Sequence, residues 1–102
     1  PYIESSETRR RPALVIASAA VDARFSVIWV SMITSAAHSR WPGDVLLTDL
    51  AVAGLTRACC VRTEKIATID SRLAEPIGHL ATADRQAVAD RLRGMLSHLL
   101  AS

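Results

Sequence analysis

Phe25-Ser26-Val27-Ile28-Trp29-Val30-Ser31-Met32-Ile33-Thr34-Ser35-Ala36 is the segment from which the rest of this chain is placed. Phe25 to Ile33 is rich in β-branched and aromatic side chains, which fit a pleated and packed surface, so it is expected to form a strand. The apolar run is almost continuous rather than alternating, which implies burial on both faces and a central position in a sheet. Trp29 is accordingly expected in the core. The run stops at two small hydroxyl residues, Thr34 and Ser35.

Working upstream, Arg9-Arg10-Arg11-Pro12-Ala13-Leu14-Val15-Ile16 carries a basic triplet straight into a second apolar run. Proline lacks an amide hydrogen and biases the residue before it toward extended backbone, so Pro12 suits the start of a strand over residues 13–18. Residues 4–11 are wholly polar and read as an exposed loop. Downstream, Pro42-Gly43 punctuates a loop over residues 34–43. Asp44 to Thr48 is a third strand, and Val52 to Leu55 is either a short edge strand or a turn. Arg57 to Arg62 and Ile66 to Ile69 are further strand material, bent near Glu64. Pro76 restricts residues 70–75 to a short helical turn. Thr82 is a candidate N-cap with Asp84 in the first turn. Val88, Leu92, Met95, Leu96 and Leu99 then recur at helical spacing, with Arg85, Arg91 and Arg93 on the other side.

The 102 residues fit one domain spanning 1–102. Half of them are apolar, enough for one modest core whose small size favours a partner subunit. Several strands followed by a terminal amphipathic helix give a mainly β (α+β) fold, a small barrel-like sheet with a helix attached. The net charge of +2 excludes a nucleic-acid coat protein. No apolar run approaches the ~18 residues of a membrane span. Neighbouring Cys59 and Cys60 would point to opposite faces of a strand, which suits buried thiols in a reducing, cytoplasmic setting better than a disulfide. The chain opens Pro1-Tyr2-Ile3 without methionine, as if an earlier strand had been cut.

Chemistry narrows by elimination. His38, His79 and His98 are widely spaced and form no metal-ligand motif with a cysteine, so no metal or other cofactor is expected. No glycine-rich phosphate loop and no nucleophile elbow is present. Arginines and strand-end hydroxyls remain, and a planar, permanently charged guanidinium forks onto phosphate oxygens. The plainer alternatives are a solvated charge at a strand start for Arg11, an ordinary loop start for Thr34 and Ser35, and a surface ion pair for Arg62 and Glu64, which share a strand face at i and i+2. Trp41 either stacks a base or packs on the sheet.

Thr-Arg-Arg-Arg-Pro-Ala-Leu-Val-Ile-Ala-Ser at 8–18 resembles the basic-Arg-Pro-apolar strand of the MazF/PemK toxin endoribonucleases. Val30 to Ala36 is similar to that family's strand ending in Thr-Ser, and Trp41-Pro42-Gly43-Asp44-Val45 to its loop-to-strand segment. Gly54 to Asp70, then Arg72-Leu73 and Ile77 to Leu80, resemble its closing strands and late helical turn. The resemblance implies an SH3-like, CcdB-type barrel working as a homodimer. It also implies a metal-independent ribonuclease that cuts single-stranded RNA through 2′-hydroxyl attack, leaving a 2′,3′-cyclic phosphate and a 5′-hydroxyl, and so arrests translation and growth. The implied partner besides RNA is a cognate antitoxin with an acidic, disordered segment. By resemblance Arg11, Thr34, Arg62 and Glu64 are catalytic candidates and Ser35 contacts substrate. Arg9, Arg10, His38, Arg40 and Trp41 are candidate RNA contacts around a groove bounded by the Glu4–Arg11 loop and the Thr34–Asp44 loop. The family's loop histidine has no counterpart in residues 4–11. Rival expectations are a gyrase poison of the CcdB type and a non-catalytic RNA- or antitoxin-binding module.

Overall fold

The computed structural model describes residues 2–4, 10–38 and 40–101. Its elements are β1 (Tyr2–Glu4), β2 (Arg10–Ala20), β3 (Ser26–Ser35), β4 (Asp44–Leu46), β5 (Cys59–Asp70), a single 3₁₀ turn at Ser71–Leu73, β6 (Ala74–Glu75) and the helix α1 (Thr82–Ala101). The strands form one sheet in the order β4-β5-β3-β2-β1-β6, and every pairing is antiparallel. β3 is central, as its unbroken apolar run requires, with β2 on one side and β5 on the other. β4 and β6 are the sheet's edges and do not pair with each other among the described residues, so the barrel-like sheet is open. β1 lies between β2 and β6 and is not a bare edge.

The sheet buries side chains on both faces. On one, Ile33, Val45, Leu47, Val61, Leu80 and Val88 pack together, with Leu14 and Leu92 against them. On the other, Ala13, Ile28 and Val30 pack with Met32, Ala67 and Ile69. Cys59 and Cys60 are both unbridged and buried. Burial pushes the Cys59 thiol above its ordinary value.

The expected bend near Glu64 has a specific form. Ser31 pairs with Ile66, yet Met32 pairs with Arg62, so Thr63, Glu64 and Lys65 fall outside the β3 ladder as a three-residue bulge. β5 therefore runs as one strand from Cys59 to Asp70 through the expected bend. Val52 to Leu55 resolves as a turn rather than an edge strand. Gly54 there has φ +73°, and a Cβ on it would meet the Ile77 carbonyl oxygen at 2.2 Å, so only glycine fits. β4 is shorter than expected, ending at Leu46.

Three expectations need correction. Trp29 is 51% exposed, not core. Its cross-strand neighbours Ala17 and Thr68 are exposed as well, because α1 packs against β4 and β5 and leaves this row uncovered. Thr82 is the first helical residue rather than the cap, since the Arg85 amide donates to the Ala81 carbonyl at 2.9 Å. Only the first half of the helical stripe is covered: Val88 is buried, whereas Met95, Leu96 and Leu99 are exposed.

Asp84 does more than complement the helix dipole. It is buried, and its carboxylate accepts from the Thr48 hydroxyl (2.7 Å), the Thr48 amide (3.0 Å) and the Asp49 amide (3.2 Å). Burial works to raise its pKa, but those hydrogen bonds outweigh it, and the carboxyl titrates below its ordinary value. The loop after β4 is thereby tied to the first turn of α1.

Candidate active site

β2 begins where β3 ends. Ala13 pairs with Met32, and continuing that antiparallel register by two residues sets Arg11 level with Thr34. On the other side of β3, Thr34 pairs with Cys60 and Met32 with Arg62. The topology thus carries residues from three strands to one end of the sheet. Arg11, Pro12, Thr34, Ser35, Arg57, Cys59, Arg62 and Lys65 line a cavity of about 220 Å3 there. A larger hollow of about 720 Å3 lies between β2 and α1, walled by Leu14, Ile28, Leu80, Val88 and Leu92. It gathers no cluster of cations or hydroxyls comparable to the smaller one.

Arg11 is exposed at the cavity rim, so its guanidinium faces solvent and any bound anion. Ser35 helps to shape the turn after β3: its hydroxyl accepts from the Ala37 amide (3.2 Å) and its carbonyl from the His38 amide (3.1 Å).

Arg62 is held far more tightly. Its side chain is 11% exposed, and that of Asp44 only 1%. The pair is bidentate, Nε to Oδ1 at 3.1 Å and Nη2 to Oδ2 at 3.0 Å. The Trp41 ring lies over the guanidinium with its centroid 4.3 Å from Cζ, a cation–π contact. Asp44 also accepts from the Trp41 amide (3.0 Å) and sits 3.9 Å from the Arg40 guanidinium. The hydrogen bond from Arg62 holds the Asp44 carboxyl below the usual carboxylate range against the effect of burial, and Asp44 raises Arg62 in turn.

The other expected residues are placed differently. The Glu64 carboxylate accepts from the Gly43 amide (3.1 Å) and lines a separate shallow hollow with Pro42, Thr63, Asp90 and Arg91. The shared face expected of Arg62 and Glu64 is not realised, because the bulge starts between them and breaks the i, i+2 alternation. Arg10 pairs with Glu75 on β6 and, by strand alternation, points away from Arg11. His38, Arg40 and Trp41 are exposed but do not line the cavity; Trp41 and Arg40 reach it only through Arg62 and Asp44. Arg9 lies outside the described residues, as does the His98 side chain. No group of three or more His, Cys, Asp or Glu among the described residues is placed to hold a metal ion. No helix among them is long and apolar enough to cross a membrane.

Asp44, Arg57 and Lys65 were not anticipated. Strand alternation puts Asp44 on the same side as exposed Leu46, and only the covering Trp41 and Arg62 bury it. If the chain cleaves RNA as its sequence resemblance implies, and Asp44 positions Arg62, Asp44→Ala is expected to lower that cleavage roughly 10- to 100-fold, mainly in kcat. Unchanged kcat in a folded variant would remove Arg62 from the working site.

A hollow lined by cations and hydroxyls at the end of an antiparallel sheet, fed by an Arg-Pro strand and a Thr-Ser strand end, accompanies a family match. The chain belongs to the PemK-like, MazF-like toxins of type II toxin–antitoxin systems, whose family model matches residues 1–96. No curated protein matches it by sequence. Among solved structures it is similar to the Mycobacterium tuberculosis toxin MazF-mt6, with a TM-score of 0.69, 23% identity, and 94% of each chain covered. It is also similar to a structure of MazE-MazF from Deinococcus radiodurans, with a TM-score of 0.69, 24% identity, and 93% of this chain and 88% of that one covered.

Proposed function

We propose that the chain is a metal-independent endoribonuclease that cuts single-stranded RNA and so arrests translation. The observation that carries the reading is the convergence of Arg11, Thr34, Ser35 and Arg62 on one cavity. Phosphodiester cleavage by the adjacent 2′-hydroxyl passes through a phosphorane carrying extra negative charge. Fixed cations aimed at that charge are usually the largest contribution a site makes. Arg11 supplies a solvent-facing guanidinium and Arg62 an oriented one. Thr34 offers a hydroxyl to place a phosphate oxygen or the attacking ribose. A guanidinium keeps its proton throughout the working pH range and is a poor proton donor, so both arginines act first through charge and hydrogen bonding. Glu64, on its separate hollow, has no part in this scheme.

The same cavity suits an acidic antitoxin segment, which would exclude RNA by occupying its cations. We also propose a cytoplasmic homodimer. Half-exposed Trp29, Met95 and Leu96 are apolar surface that a second copy would cover.

The test is cleavage of a long single-stranded RNA with EDTA present, followed by end-group analysis. Fragments ending in 2′,3′-cyclic phosphate and beginning with 5′-hydroxyl are expected. No cleavage by folded protein, with or without added divalent cation, would leave the binding-module reading in its place.

A further inference from the structure

We propose that Arg57 and Lys65 form a subsite for RNA phosphates that flank the bond to be cut. This rests on the ribonuclease reading and extends it to residues outside the expected site.

Four cations line the cavity (Arg11, Arg57, Arg62 and Lys65) and no carboxylate lines it. They are not equivalent. Arg62 is neutralised by its bidentate bond to Asp44, so its contribution is orientation more than net charge. No carboxylate among the described residues forms an ion pair with Arg11, Arg57 or Lys65. The uncompensated charge facing the cavity therefore comes from these three.

They come from different parts of the chain. Arg57 stands in the loop just before β5, two residues ahead of Cys59, which also lines the cavity. Lys65 is the last residue of the bulge, and Arg62 lies between them. Without the bulge, Lys65 would pair with Met32 and sit in the ladder. The three extra residues take it out of the ladder, and it lines the cavity. At about 220 Å3 the cavity is smaller than the ~300–1,000 Å3 of sites that enclose whole ligands. It suits one unit of a longer strand, with neighbouring phosphates emerging past its rim. Arg57 and Lys65 are the cations available to meet them, one at each end of the 57–65 segment.

Counterion release makes the idea measurable. For single strands, each phosphate neutralised contributes about −0.7 to the slope of log K against log salt. The probe is a fluorescein-labelled, mixed-sequence oligoribonucleotide with 2′-methoxy groups, which cannot be cut. Its binding is followed by anisotropy over a salt series. Arg57→Gln and Lys65→Gln keep the aliphatic stems and remove the charges. Each is expected to reduce the slope by about 0.7, and the double variant by about 1.4. On cleavable RNA both should raise KM with kcat little changed. Arg24→Gln, in the turn at the opposite end of β3 from Thr34, is the control and should match wild type.

If wild type binds but the two variants keep its slope, the subsite is wrong while the ribonuclease reading stands. If wild type shows no salt-dependent binding, the ribonuclease reading fails and takes the subsite with it. Thermal melts establish that each variant is folded.

Discussion

Arg11→Ala should lower RNA cleavage by about 10²- to 10³-fold without moving the melting temperature. The two halves of that expectation have separate grounds. Arg11 is exposed and forms no ion pair with a described carboxylate, so the fold has little to lose from its removal. The site has much to lose, because Arg62 is already tied to Asp44 and Arg11 lies level with the strand-end hydroxyl of Thr34. Arg11→Lys separates charge from geometry. An ammonium keeps the charge and loses the planar fork, so intermediate activity is expected if two-point contact with the phosphate matters. Cleavage within about threefold of wild type for the alanine variant, a loss of under ~1 kcal/mol, would move the chemistry elsewhere.

Asp84→Ala acts on stability instead. It strips the acceptor from three donors at once: the Thr48 hydroxyl and the amides of Thr48 and Asp49. Hydrogen bonds to a charged group are worth ~1.5–3 kcal/mol each, but Thr48 and Asp49 are exposed, so water can replace part of the loss, and three bonds to one carboxylate are not additive. A net loss of about 3 kcal/mol is expected, which for a domain of this size lowers Tm by roughly 10–20 °C. The pH dependence has a definite sign. The folded carboxyl titrates below its unfolded value of about 3.9. Its stabilisation is therefore complete above that value and is lost as pH falls through the folded pKa. Melts from about pH 7 to pH 3 should show a smaller acid decline in Asp84→Asn than in wild type. Some decline remains, since Asp44 is shifted in the same direction. Identical acid limbs would show that Asp84 is not a major source of the dependence.

Much of this architecture is written locally in the chain. Pro12 marks the approach to an apolar strand, although β2 already begins two residues earlier at Arg10, and the β3 run takes a central place with its buried residues on both faces, Trp29 excepted. Arg11 and Thr34 were legible together because each ends an apolar run and the runs pair antiparallel. What escaped depends on partners distant in sequence. Glu64 could not be placed from its spacing to Arg62, since spacing has meaning only while the ladder is regular. Asp44 reads as the polar start of a strand until Arg62 closes over it from 18 positions away. Trp29 was misplaced because β3 identifies itself as central without saying how far the helix reaches. Arg57 and Lys65 carry no local mark, as charged residues in loops and strands are usually solvated.

The bulge in β5 has a consequence for how this chain tolerates insertions and deletions. β5 is in effect two short rulers joined by a slack section: Cys59–Arg62 is graduated against one part of β3, and Ile66–Asp70 against another. Losing one residue inside either ruler would turn every later side chain on it to the wrong face. Losing or gaining one within Thr63–Lys65 changes only the slack. Length variation in this strand should therefore concentrate at that point, where it would retune the reach of Lys65 while both graduated segments keep their register.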